Sequence, residues 1–184
     1  MAAEGQGMKH DAVNEGKFPF IWVLLILGIL MIGASFRFIG VNWDESQHLH
    51  PDERFLTMVA SSVSSVKSLG DYFNTATSTL NPHNVGYGFY VYGTLPLFLT
   101  RWVAEAVKLT GYDEVFLVGR VLSGVADLGT VFLVYLTALR LFRRQRLALM
   151  ASAFMVMVVL PIQISHYFTV DNFANFFTLL ARVQ

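Results

Sequence analysis

No charged residue occurs between Phe18 and Phe36, and the apolar run continues to Phe38. A helix of that length is roughly 30 Å long, the thickness of a bilayer's hydrocarbon core. Lipid offers the backbone no hydrogen-bond partner, so a segment this apolar must be helical. It reads as a span rather than a cleaved leader. Its apolar core exceeds the about 7–15 residues of a leader, and no small-x-small cleavage site follows. Val115 to Phe142 repeats the pattern, Leu147 to Ile164 forms a third apolar run ending near Pro161, and Asn172 to Ala181 begins a fourth. The expected fold is therefore all-α: a polytopic membrane protein with about three transmembrane helices and part of a fourth. A composition of 54% hydrophobic and 14% charged residues agrees, since soluble domains carry about 25% charge.

Charge sets the expected topology. Arg140, Arg143, Arg144 and Arg146 crowd the short link between the second and third spans, and basic residues in short loops mark the cytoplasmic side. Counting back, the polar tail at 1–16 is cytoplasmic and mobile, 17–38 is the first span, and 39–114 is an outer loop. Residues 115–184 then hold spans two, three and the start of four. The turn from His166 to Asp171 falls on the same outer side as that loop, in a cell's inner or plasma membrane. Net charge is zero with dispersed basic residues, which gives nucleic acid no footprint. The absence of cysteine excludes thiolate catalysis and cysteine metal sites.

Within the outer loop, Leu56, Val59, Val63 and Val66 recur at helical spacing. This predicts an amphipathic helix over Phe55–Leu69 lying along the membrane surface. Leu95–Leu109 predicts a second interfacial helix. Just before the first lies the densest polar stretch of the chain, Trp43-Asp44-Glu45-Ser46-Gln47-His48-Leu49-His50-Pro51-Asp52-Glu53-Arg54-Phe55. A carboxylate at the mouth of the membrane suits acid/base chemistry on a substrate delivered by lipid. Asp52 and Glu53 equally suit the first turn of a helix, where they complement its dipole. His48 and His50, beside Asp52, have ligand types that fit a divalent metal, the one cofactor class the residues suggest. Arg120 and Asp127, seven apart and on one face of the second span, call for a partner in each other or in a neighbouring helix.

The order of these parts resembles the integral-membrane glycosyltransferases of the GT-C superfamily, and most closely their protein mannosyltransferase group. The resemblance rests on His50-Pro51-Asp52-Glu53-Arg54-Phe55, Phe89-Tyr90-Val91-Tyr92-Gly93-Thr94-Leu95-Pro96-Leu97, Gly119-Arg120-Val121-Leu122-Ser123 and Ser165-His166-Tyr167-Phe168-Thr169-Val170-Asp171. It implies transfer of a sugar from a polyprenyl-phosphate donor in the membrane lipid to an acceptor on the outer face. An acidic pair in the first outer loop would supply the general base, which falls on Asp52 and Glu53, with Asp44 and Glu45 as the second candidate pair. Arg54 and Arg101 are the expected phosphate-binding cations, and Arg120 and Asp171 the expected walls of the substrate site. Members of the group have about nine spans or more, so this chain corresponds to their N-terminal third and is short for a self-sufficient enzyme. The alternative is a non-catalytic relative serving as a structural subunit of a larger membrane complex. Gly28, Gly33, Ser123, Gly124 and Gly129 would then let partner helices approach.

Overall fold

The computed structural model describes residues 20–183, so the tail expected at 1–16 lies outside the described residues. Within them the chain is helical without strands. The helices in chain order are α1 (Phe20–Phe38), α2 (Pro51–Ser62), α3 (Leu69–Phe73), α4 (Thr94–Val107), α5 (Tyr112–Phe142), α6 (Gln145–Val156), α7 (Val159–Ser165) and α8 (Asp171–Val183). A 3-10 turn at Pro82–Val85 lies between α3 and α4. α1 and α5 are each long and apolar enough to cross a membrane, and α6 with α7 makes a third candidate, bent by 57°. This is an all-α polytopic membrane protein.

The bend has a local cause. Pro161 has no N–H, and its ring clashes with the carbonyl four residues earlier, at Met157. α6 accordingly stops at Val156, and a new helix starts at Val159. The third apolar run expected over Leu147–Ile164, ending near Pro161, is thus two helices, and α7 carries on past Pro161 to Ser165.

α5 is the axis of the fold and packs against α1, α2, α4, α6, α7 and α8. Three of its glycines each receive a phenylalanine ring. A Cβ on Gly119 would lie 2.2 Å from Cγ of Phe168, one on Gly124 2.7 Å from Cε1 of Phe38, and one on Gly129 2.6 Å from Cε2 of Phe176. Gly33 of α1 likewise faces Leu128 and Val156, and Ser123 accepts from Asn172 Nδ2 at 3.1 Å. The small residues expected at a surface for partner helices are therefore occupied within the chain, except Gly28, which has open space.

α2 begins where the sequence places a helix start but ends early. Val63 turns extended (φ −77°, ψ 162°), and Ser64 then exchanges hydrogen bonds with Thr79. Its apolar face is also covered differently from the expectation. Leu56, Val59, Ala60 and Val63 are buried with Leu97 and Ala104 of α4, Val115 and Val118 of α5, and Phe168. Helical periodicity identifies an apolar face but not what covers it. Here protein covers it rather than lipid.

Candidate active site

The site is built at the N-terminus of α2. His50 is its cap, with Nδ1 accepting from the N–H of Asp52 at 3.2 Å. Pro51 occupies the first turn, where its missing N–H costs nothing. Asp52 and Glu53 follow, and successive helical side chains diverge by about 100°. The two carboxylates therefore face different surroundings.

Glu53 points inward and is fully buried. Its Oε1 accepts from Arg120 Nε and its Oε2 from Arg120 Nη2, both at 2.7 Å. Asp44 takes the other side of the guanidinium, Oδ1 from Nη1 at 2.9 Å and Oδ2 from Nη2 at 2.8 Å. Nη1 also donates to the carbonyl of Val41 at 2.7 Å. These bonds use all five guanidinium N–H groups. The Phe116 ring lies under the cation, 4.6 Å from its centroid. Glu53 Oε1 further accepts from the backbone N–H of Phe168 at 2.7 Å, which ties the segment before α8 to α2. Hydrogen bonding to Arg120, against the opposing effect of burial, holds the Asp44 carboxyl below the usual carboxylate range.

Asp52, half-buried, faces away from that cluster. Its Oδ1 accepts from the Tyr92 hydroxyl at 2.8 Å. That bond, then burial and the charges of Asp52 and Asp171, raises the Tyr92 phenol above its ordinary value. Asp171, exposed as the first residue of α8, is thereby placed near the same group. The rings of Phe55, Tyr90 and Tyr92 pack together at about 6 Å between centroids.

The other candidates are dispersed. Glu45 is exposed, and it (φ 50°), half-buried Ser46 (φ 65°) and His48 (φ 50°) all adopt the left-handed conformation. The His48 ring is buried between Tyr112 and Phe116, at 4.6 and 4.5 Å, and neither of its nitrogens is hydrogen-bonded. Arg54 is exposed and donates through Nη2 to the His48 carbonyl at 3.3 Å. Arg101 is not brought to Asp52. It pairs with Glu105 at 2.7 Å and caps the far end of α2, donating to the carbonyls of Ala60 and Ser61 at 3.1 and 3.4 Å. That end lies roughly 13 Å along the helix from Asp52. His50 spends Nδ1 on its cap, and among the described residues no three His, Asp or Glu side chains gather as a metal site.

Arg120 and Asp127 take separate partners. Asp127 binds Arg37 Nε at 2.6 Å, with both side chains buried, and Arg37 Nη1 also reaches the carbonyls of Gly33 and Val156. Sequence reasoning passed over Arg37 because a basic residue at the end of a span usually snorkels to the surface. It also passed over His166, whose ring nitrogens sit 2.8 Å from the Ile162 carbonyl and 3.0 Å from that of Ile39. Trp43 Nε1 donates to the His166 carbonyl at 3.4 Å. The 39–53 stretch and the 165–171 stretch thus meet at one end of the bundle, around a cavity of about 540 Å³ lined by Ile39, Trp43, Gln163, His166 and Tyr167. Arg144 and Arg146 lie beside Trp22, near the start of α1.

A protein-family model described as dolichyl-phosphate-mannose-protein mannosyltransferase matches residues 51–183. The chain belongs to this family. No curated protein and no solved structure matches it. The mannosyltransferase match opens at Pro51, the first residue of α2, and takes in Asp52, Glu53, Arg101, Arg120 and Asp171. Asp44, which completes the Arg120 cluster, precedes it.

Proposed function

We propose that this chain carries the acid/base half of a membrane mannosyltransferase active site, in which Asp52 is the general base. The reaction is transfer of mannose from a polyprenyl-phosphate donor to an acceptor hydroxyl. As the bond from the anomeric carbon to the phosphate oxygen breaks, the acceptor oxygen bonds to that carbon from the opposite face. The hydroxyl proton passes to Asp52, and the electron pair leaves with the polyprenyl phosphate. Family membership supports the donor class. The arginine cluster supports an N-terminus in the cytoplasm and this chemistry on the opposite side.

One observation carries the choice of base. Of the two carboxylates that open α2, Asp52 has no cationic partner among the described residues, while Glu53, like Asp44, is bound to Arg120. Glu45 stands exposed in a left-handed turn outside α2. A general base must be within reach of the proton it removes. A carboxylate already saturated by a guanidinium is poorly basic and inaccessible. In this reading Glu53, Asp44 and Arg120 are positioning residues that fix the start of α2. The test is mannosyl transfer by Asp52→Asn in membranes. We expect a fall of about 10²–10⁴-fold with thermal stability retained; transfer at the wild-type rate removes Asp52 from the role.

A further inference from the structure

We infer that His50 is a hydrogen-bond donor to the phosphate of the lipid-linked sugar, a role resting on the reading of Asp52 above. Helix caps are ordinarily Ser, Thr, Asp or Asn, whose short side chains reach the backbone N–H without help. Here α2 is capped by a histidine, through Nδ1 accepting from the Asp52 N–H at 3.2 Å. An imidazole nitrogen that accepts carries no proton, so the ring is the neutral tautomer with its hydrogen on Nε2. The cap therefore does more than close a helix. It leaves an unpaired N–H on a ring two residues from the proposed base and prevents that nitrogen from becoming an acceptor.

The ring is held on its other side by Tyr167, 5.0 Å between centroids, on the wall of the cavity between the end of α1 and α7. His50 is half-buried, and among the described residues Nε2 makes no hydrogen bond. The other cationic and imidazole side chains gathered here are either engaged or enclosed. Arg120 spends every N–H on Asp44, Glu53 and Val41. His166 has a backbone carbonyl at each nitrogen. His48 is enclosed between two aromatic rings. His50 Nε2 and the exposed Arg54 are what remains to meet a departing phosphate. A leaving oxyanion needs such preorganised donors, since they strengthen as charge develops.

Two substitutions separate the roles of the two nitrogens. Asn places its carbonyl oxygen near the Nδ1 position and keeps the cap without the outer donor. Gln places its amide nitrogen near the Nε2 position and keeps the donor without the cap. The full chain in lipid nanodiscs is titrated with polyprenyl phosphate, read by native mass spectrometry, with phosphatidylglycerol as the comparison anion, and unfolded thermally. His50→Asn should retain the wild-type melting temperature but bind polyprenyl phosphate about tenfold more weakly. His50→Gln should melt lower and bind within about twofold of wild type. Phosphatidylglycerol binding should not change in either. Wild-type affinity in His50→Asn, or an equal loss for both lipids, overturns the assignment. Because the readout is binding, it stands apart from Asp52→Asn, which should bind polyprenyl phosphate normally whichever residue is the base.

Discussion

Glu53→Gln separates the two acidic residues of the α2 N-terminus. The substitution keeps size and shape but removes the charge from a carboxylate with no exposure. It replaces two charge-assisted bonds to Arg120, both at 2.7 Å, and turns an amide N–H₂ toward a guanidinium that can only donate. Removing one partner of a buried ion pair costs about 3–5 kcal/mol. Asp44 still neutralises Arg120 from its other side, so the lower figure applies, about 3 kcal/mol. For a chain of this size that lowers the melting temperature by roughly 6–12 °C. Tryptophan emission during thermal unfolding in mild detergent is a suitable assay, because Trp43 is hydrogen-bonded to the His166 carbonyl at this site. Asp52→Asn, which only weakens a part-buried bond whose Tyr92 donor the amide oxygen can still accept, should shift stability by less than about 1 kcal/mol. Mannosyl transfer should fall in both variants, with destabilisation in the first alone. A Glu53→Gln protein that melts with the wild type and transfers nothing would refute the reasoning, since Glu53 would then be acting chemically.

The same assays check two further expectations. Gly119→Ala drives a methyl group into the Phe168 ring and should cost about 1–3 kcal/mol, whereas Gly28→Ala, facing open space, should be neutral or slightly stabilising. The Asp44 carboxyl is held below its ordinary range, so its contribution is complete above that range and is lost as pH falls through the lowered value. An acid titration of stability should show this loss, and Asp44→Asn should flatten it.

The spans were legible because a run such as Phe20–Phe38 has only one stable form in lipid. The start of α2 was equally plain from Pro51, Asp52 and Glu53. Where Leu56 and Val59 would bury was not, because burial against α4 and α5 depends on residues dozens of positions away. The same limit hid the ion pairs. Arg120 is 67 residues from Glu53, and Arg37 is 90 from Asp127. The sequence left Arg120 and Asp127 to pair with each other or with a neighbouring helix, because spacing on one helix is the only distance a sequence reveals. Asp127 pairs with Arg37 of α1, and Arg120 with the segment before α2 and its first turn. Arg101 looked like a phosphate ligand for want of any sign that the carbonyls ending α2 would claim it.

The two buried ion clusters also bear on how the chain is made. An arginine or aspartate in the middle of a spanning helix is costly to place in lipid alone. Both such residues of α5 find counter-charges in segments synthesised earlier: Asp44 and Glu53 for Arg120, and Arg37 for Asp127. When α5 leaves the ribosome, each of these charges already has its complement waiting at the membrane. The two mid-helix charges of α5 can therefore be paired before α6, α7 or α8 exists, and the later helices assemble on a finished post.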